Sequence, residues 1–440
     1  MLRFGTDGVR GVALTELSTQ YVASLGAAAA SALGSGTWLI GVDTRESSPT
    51  LASAFAAGLQ SQGALVEFCG MLPTPALAFL SMVRGLPAAM ITASHNPYTD
   101  NGVKIFAAGG LKLNDEVEAT IEALITGSGD PQLVPLHDVP TSTDEYVDRL
   151  VSMFPLDALV GVHVVLDCAN GAMSVVAPLV VAALGATVTV LHASPNGVNI
   201  NAQCGATHPA SLAAAVVRHG ADLGLAFDGD GDRLIAVDEH GKIVDGDRLI
   251  GLGALHLRDQ GLLRGNTVVV TQMSNLGFHL AMATAGIDVV ATAVGDRYVL
   301  EALAAGDFAL GGEQSGHIIY RHLATTGDGL LAGLQLLHHV KGSGQRLSQL
   351  ADAVMTTYPQ VLLNVRVSKK HPNIADELAV EIGTAEAAFN GNGRVLVRPS
   401  GTEPLIRVMV EAATSDLARS VAQDLCHAVE SRFGTKNSSV

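Results

Sequence analysis

The chain has 440 residues, 48% of them hydrophobic and only 15% charged, with a formal net charge of −16 at pH 7. At ~100–200 residues per domain this length implies two to four domains, each with enough apolar residues for its own core. The acidic balance speaks against nucleic acid or an anionic membrane as the main partner; an anionic small substrate would need Arg and Lys gathered locally. Four cysteines, Cys69, Cys168, Cys204 and Cys426, lie far apart without C-x-x-C spacing. That is the pattern of reduced, buried thiols in a cytosolic protein rather than of disulfides or a zinc site. The opening "MLRFGTDGVRGV" carries Asp7 and Arg10 where a signal peptide needs an apolar run, so a cytoplasmic location is expected.

Along the chain one grammar repeats: an apolar β-rich run, a Gly-rich polar turn, then an Ala/Leu-rich helical stretch. "TWLIGVDTRESSPTLASAFAAGLQ", "VHVVLDCANGAMSVVAPLVVAALG" and "TVVVTQMSNLGFHLAMATAG" all follow it. Continuous apolar strands alternating with helices indicate an α/β fold with mainly parallel sheets covered on both faces, whose ligands bind at the strand ends. Three such blocks are expected, 1–143, 144–250 and 251–360, the first two separated by the linker-like "TGSGDPQLVPLHDVPTSTDEY". Residues 361–440 read as a smaller α+β domain, with "VLLNVRV", "GRVLVRPSGTEPLIRVMVEA" and a closing amphipathic helix. The apolar run "VVAPLVVAALGATVTVL" is too short for a bilayer, which needs ~20 apolar residues. Pro178 and Gly185 break it, and it reads as a helix followed by a strand, not as a membrane anchor.

Four turns carry chemically capable groups, one per block. "ITASHNPYTDNGVK" sets Ser94 beside His95 with Lys104 ten residues after the serine. Asn-Pro and Asp-Asn-Gly are ordinary turn formers, so this stretch by itself reads first as a turn. "LGLAFDGDGDRLIAVDEHG" spaces Asp228, Asp230 and Asp232 by two around glycines, which lets three carboxylates converge on a hard cation such as Mg²⁺ or Ca²⁺. An EF-hand loop fits positions 1, 3 and 5 and puts Glu239 at position 12, but Arg233 stands where glycine is required and the flanks read as strands. "LGGEQSGHIIY" places Glu313, Ser315 and His317 between glycines, and alone reads as a hairpin with a polar tip. "VRPSGTEPLIRV" holds the inventory of a phosphate cradle: Arg398, the hydroxyls of Ser400 and Thr402, exposed backbone at Gly401, and Arg407 from the next strand.

In this order and spacing the four turns resemble those of the α-D-phosphohexomutase superfamily: a phosphoserine loop, a DGDGDR metal loop, a GExSGH sugar loop and a C-terminal phosphate loop. The resemblance covers essentially the whole chain. "FGTDGVRG", "NINAQCGATHP", "TTGDG" and "GGEQSGH" are similar to the branch acting on glucosamine phosphates; Gln314 stands where relatives acting on glucose or mannose phosphates often have Met.

The resemblance implies four domains around a central cleft and reversible conversion of glucosamine 6-phosphate to glucosamine 1-phosphate through bound glucosamine 1,6-bisphosphate, feeding UDP-N-acetylglucosamine synthesis. It implies a phosphoryl group on Ser94, with Mg²⁺ held by Asp228, Asp230, Asp232 and a phosphoserine oxygen. Arg233 and Arg10 would add positive charge. Lys104, with His95 second, would move the proton, which for a base requires a lowered lysine pKa. Glu313 and Ser315 would hold sugar hydroxyls, and His317 would orient the sugar or aid proton transfer. Arg398, Ser400, Gly401, Thr402 and Arg407 would grip the phosphate that is not reacting, on a domain hinged near Tyr358–Pro359. Apolar surface in an Ala-rich chain permits a homodimer. Competing readings are a mutase for neutral hexose phosphates, a metal-dependent sugar phosphatase, and a Ca²⁺-binding or sugar-phosphate-sensing protein.

Overall fold

The computed structural model describes residues 2–126, 131–138, 142–400 and 404–434. Contacts divide the chain into two units: Met1–Met273 with Ala285–Val354, and Ser274–Thr284 with Met355–Val440.

The first unit holds three mixed sheets that share one strand plan. In the first, Leu65–Met71, Thr37–Val42 and Ala88–Ile91 run parallel in that order, and Asp100–Ala107 then pairs antiparallel with Ala88–Ile91. The second repeats this with Thr187–Leu191, His163–Asp167 and Leu223–Phe227 parallel, and Leu234–Asp238 antiparallel. In the third the parallel trio is Asp288–Thr292, Thr267–Thr271 and Leu310–Gly312, and the antiparallel strand is Ile318–Tyr320. Each sheet thus ends its parallel trio in a hairpin. The three hairpin tips are residues 92–99, 228–233 and 313–317, three of the four turns singled out in the sequence.

The strand sequences explain the burial. "LGLAF" and "LIAVD" are buried at every position, as are "TVVVT" and "AAMI", because helices cover both faces of a parallel sheet and leave no side to water. The flanks of the aspartate turn are therefore strands, as expected, and not EF-hand helices. Glu239 turns away to accept hydrogen bonds from the hydroxyl and amide of Ser348, at 2.5 and 3.3 Å. The run from Val175 to Leu191 forms the end of helix Met173–Ala183, with Pro178 inside it, and strand Thr187–Leu191. No helix among the described residues is long and apolar enough to cross a membrane.

The second unit is α+β. Leu405–Ala412 lies between Gln360–Arg366 and Gly393–Pro399, antiparallel to both. Helix Ser415–Phe433, capped by Thr414, packs Ala418, Ala422, Leu425 and Val429 into the core with Val408 and Val410, an i, i+4 stripe laid on one sheet face. The helix Leu276–Thr284 belongs to this unit. Buried Glu411 accepts from the Leu276 amide at 2.9 Å and from Asn275 Nδ2 at 3.2 Å, and Asn275 exchanges two 2.9 Å bonds with the Tyr358 backbone. Tyr358–Pro359, expected as a hinge, thus lies inside this unit; the chain passes between units at 273–274, 284–285 and 354–355.

Close backbone approach sets the aspartate turn on its sheet. The Ala172 amide donates to Gly229 O at 2.8 Å, and a Cβ on Gly171 would lie 2.3 Å from that same oxygen. Gly171→Ala should therefore destabilise the fold by about 1–3 kcal/mol, the usual range for overpacking. Urea denaturation would measure this, and a wild-type midpoint would show that the turn yields instead.

Candidate active site

Ser94 sits fully buried at the first hairpin tip with φ of 52°, the left-handed region that a residue with a side chain occupies only when its surroundings hold it there. Those surroundings are visible. The Ser94 amide donates to Thr92 Oγ1 at 2.9 Å, and Thr92 Oγ1 donates to Asp43 at 2.8 Å. Asp43 also pairs with the buried Arg45 at 2.8 Å. The Arg45 guanidinium then donates to the backbone oxygens of Ser94 (3.0 Å), Asn96 (2.8 Å), Asp100 (2.9 Å) and Pro97. The serine hydroxyl emerges from this clamp to donate to Asp228 Oδ2 at 2.5 Å, with His95 Nδ1 3.3 Å away.

Asp228, Asp230 and Asp232 are all buried, and one carboxylate oxygen from each lies within 4.8 Å of the others. Lys104 reaches this cluster from the hairpin's second strand. Its Nζ is 2.8 Å from Oδ2 of both Asp230 and Asp232, and 2.9 Å from Asp7. Thr74 donates to Asp230 Oδ2 at 2.7 Å. The other oxygens, Oδ1 of Asp230 and of Asp232, are buried without a hydrogen-bond partner. Acceptors left unpaired beside further carboxylates are what an oxygen-loving divalent cation requires. The residues present therefore fit a metal such as Mg²⁺.

The electrostatics agree. Burial raises the Asp228 carboxyl well above the usual range, and Asp232 and Asp230 push it further. Burial acts on Asp232 as well, but Lys104 and His317 override it and hold that group well below the usual range. For Lys104, burial opposes the charge, yet Asp230, Asp232 and Asp7 hold its ammonium well above an ordinary lysine. The lowered value needed for a lysine base is not what this arrangement produces; as placed, Lys104 is a counter-charge that holds its proton tightly. His95 moves the other way, to about 4, through burial and then the neighbouring Arg233 and Arg10. Its ring is neutral at pH 7 and can accept a proton.

A cavity of about 350 Å³ opens beside the cluster. Arg10, Asp232, Arg233, Glu313, Ser315 and His317 line it, so the first, second and third hairpin blocks all contribute. Arg10 is paired with Asp7, while Nε of Arg10 and of Arg233 are buried without a partner, which suits an anionic guest. Lys112 bridges Asp7, at 2.8 Å, to Asp296. His317 lies between Asp232 (3.6 Å) and Asp296 (3.4 Å); burial disfavours its charge, but Asp232 outweighs it and raises the pKa. Burial raises that of Glu313.

The structure thus brings together Ser94, His95, Lys104, Asp228, Asp230, Asp232, Arg233, Arg10, Glu313, Ser315 and His317 within the first unit. Arg398 and Arg407 stand directly opposite on neighbouring strands of the second unit, where burial and then Arg407 lower the Arg398 pKa. The neighbouring Ser400 is buried. Gly401 and Thr402 lie outside the described residues. Sequence reasoning passed over Arg45, Thr74, Lys112 and Asp296, whose only sequence signal is a charged or hydroxyl residue near a strand end.

Fold and site define a protein built like the hexose-phosphate mutases. Profiles of the phosphoglucomutase/phosphomannomutase family match in series: α/β/α domain I over residues 1–131, domain II over 144–241, domain III over 245–358 and the C-terminal domain over 362–428. The chain belongs to the phosphoglucomutase/phosphomannomutase family. It is 50% identical over 442 residues to a protein named phosphoglucosamine mutase from Rhodococcus opacus, covering 97% of this chain and 99% of the relative. A protein of the same name from Desulforudis audaxviator is 49% identical, with 97% of each chain covered. Among solved structures, a family member from Burkholderia thailandensis superposes with a TM-score of 0.80 at 23% identity, over 98% of this chain and 99% of that one. Aspergillus fumigatus N-acetylphosphoglucosamine mutase, solved with GlcNAc-6P and magnesium, gives 0.71 at 19%, over 98% and 96%. Both show the fold.

The stretch "TTGDG" props the site from behind. Asp328 caps helix Gly329–Ser343 by accepting from the Leu331 amide at 2.9 Å, the Gly329 amide donates to Gly231 O at 3.1 Å, and Tyr146 donates to both Asp328 oxygens at 2.9 and 2.8 Å. Burial raises the Asp328 pKa to about 6, against the pull of these donors. A free aspartate titrates near ~3.9, so the folded state holds this proton more tightly, and the stability it adds in acid is lost as pH climbs through about 6. Tyr146→Phe should then cost about 1–3 kcal/mol at pH 8, where it strips a donor from a buried carboxylate, and less at pH 5, where the carboxyl is protonated. Thermal melts at the two pH values would show this; equal losses would contradict it.

Proposed function

We propose that the protein interconverts glucosamine 6-phosphate and glucosamine 1-phosphate in the cytoplasm, through phosphoserine at Ser94 and a glucosamine 1,6-bisphosphate intermediate. The observation that carries this is Ser94 Oγ placed 2.5 Å from Asp228, beside Asp230 and Asp232, each of which keeps a buried oxygen without a hydrogen bond. The relatives named phosphoglucosamine mutase, matched over 97% of the chain, support the amino sugar over a neutral hexose. Domain limits at 1–143, 144–250, 251–360 and 361–440 are supported in number and order by the family profiles, except that the third profile begins at 245, ahead of helix Gly246–Asp259, which a limit at 250 would cut.

Mg²⁺ on Asp228, Asp230, Asp232 and a phosphoserine oxygen would neutralise charge on the transferring group. Phosphoryl transfer otherwise asks mainly for positioning and charge. The sugar hydroxyl oxygen bonds to phosphorus, the bond from phosphorus to Ser94 Oγ breaks, one proton leaves the hydroxyl and one is returned to the serine oxygen. Lys104 returns the proton to the serine oxygen, which needs its hold on the ammonium's proton loosened, as a cation on Asp230 and Asp232 would do. Neutral His95 accepts the proton from the hydroxyl. Arg10 and Arg233 offset negative charge at the reacting phosphate. Glu313 and Ser315 hold sugar hydroxyls, and His317, set between Asp232 and Asp296, orients the sugar. The phosphate that is not reacting falls to Arg398, Ser400, Gly401, Thr402 and Arg407. Two guanidiniums directly across a strand pair repel one another, and an anion between them relieves the cost.

Side-by-side assays on glucosamine, glucose and mannose 6-phosphates test the substrate, and a preference for mannose would overturn it. Ser94→Ala should abolish turnover and the phosphoryl group seen by intact mass. Arg398→Ala should raise KM about tenfold to a hundredfold, the worth of a charge-assisted contact, with kcat less affected.

A further inference from the structure

The motif "NINAQCGATHP" has so far had no task. Within it Asn201 is buried, with φ of 57°. Its amide donates to Ala169 O at 2.9 Å, which fixes the residue to the block that carries the aspartate turn. Its side chain points the other way, into the serine loop: Nδ2 donates to Ser94 O at 2.9 Å and to Asn96 O at 3.1 Å. These are the two oxygens that Arg45 already holds, at 3.0 and 2.8 Å.

Satisfying the two carbonyls does not require a second donor, since the guanidinium serves both. What Asn201 adds is a tie between two sheets: Arg45 belongs to the serine's own block, Asn201 to that of Asp228. Gly229, between the first two aspartates, packs directly onto this tie. A Cβ there would lie 2.6 Å from Ser94 O and 2.8 Å from Asn201 Nδ2. The spacing between Ser94 Oγ and Asp228 is therefore set by a short path through the Ser94 carbonyl, the Asn201 amide and the backbone of the aspartate turn.

We propose that Asn201 is a positioning residue for phosphoryl transfer, acting through the carbonyl oxygens of Ser94 and Asn96 to hold the serine hydroxyl in register with the aspartate turn. This rests on the reading of Ser94 as the phosphoryl carrier. It assigns Asn201 no contact with the sugar, so substrate affinity should be untouched. A displacement of about 1 Å at a reacting centre can cost on the order of a hundredfold in rate.

Asn201→Gly separates this role from a purely conformational one, because glycine accepts the left-handed backbone and only the amide is lost. The expected result is kcat lowered about tenfold to a hundredfold, with KM within about twofold and the melting temperature close to wild type. Phosphorylation of Ser94 by glucosamine 1,6-bisphosphate, followed by intact mass, should slow to match. A folded variant with wild-type kcat, or with KM raised at unchanged kcat, overturns the proposal. If Asn201→Gly melts early, Asn201→Asp decides. It keeps the shape and tolerates the same φ, but turns a carboxylate towards two carbonyl oxygens, so kcat should fall further still; unchanged kcat again defeats the idea. Ser94→Ala assayed in parallel distinguishes the two failures. Activity surviving in it defeats the phosphoserine reading, whereas an inactive Ser94→Ala beside a fully active Asn201→Gly defeats the positioning role alone.

Discussion

Three carboxylates buried on one hairpin tip impose the condition that the rest of the first unit meets. A buried carboxylate without a partner costs several kcal/mol, and Asp228, Asp230 and Asp232 sit together with almost no solvent. No group on their own turn supplies enough positive charge, so it arrives from elsewhere: Lys104, 126 residues away from Asp230 in the chain, spans two of the three. The Ser94 hydroxyl takes an oxygen of Asp228, and the Thr74 hydroxyl shares Oδ2 of Asp230 with Lys104. The first and second blocks are thereby bound by the charge of the site itself. Oδ1 of Asp230 and of Asp232 accept no hydrogen bond, with His317 Nδ1 3.6 Å from the latter, so the cluster still carries negative charge that a cation could meet.

The shared strand plan explains why the functional turns can meet. Each sheet ends its parallel trio in a hairpin, so each places its polar tip at the carboxyl end of the third parallel strand. Ligands gather at that edge of open α/β sheets because loops there are free to vary while the strands stay rigid. The serine, the aspartates and the Glu313–His317 turn are three occupants of one topological position. Lys112, joining Asp7 to Asp296, ties the first tip's surroundings to the third as Lys104 ties the first to the second.

The sequence exposed whatever local spacing encodes. Aspartates at every second position around glycines, strand-like flanks and the serine–histidine pair were all legible, and so was the α+β character of the last block. Partners that meet across large separations were not. Arg45 in "DTRESS" looks like any charged turn residue, and only the fold reveals that its guanidinium satisfies four carbonyl oxygens up to 55 residues away. Asp296 is met by Lys112 from 184 residues off, and Asn201 by the serine loop from 107. The direction of the Lys104 shift escaped for the same reason: three acids converge on it from two other turns. Periodicity could not show that helix Leu276–Thr284 packs with the C-terminal sheet either, because that depends on Glu411, 135 residues further along.

An acidic chain that handles an anion must solve a local problem against its overall charge. With a net −16, long-range attraction for a sugar phosphate is absent, and ~8 Å of screening at physiological salt limits what distant charge could do either way. The answer is concentration of cations where they are needed. Arg10 and Arg233 face the cavity, and Lys104 and Lys112 pair with Asp7, Asp232 and Asp296 of its lining. Each of the two lysines is held by carboxylates on more than one side, which keeps it charged while limiting its reach. The arginines keep an Nε unpaired. Lysines committed to the framework and arginines with donors to spare give a site with a positive edge suited to phosphate and an acidic floor that could hold a metal.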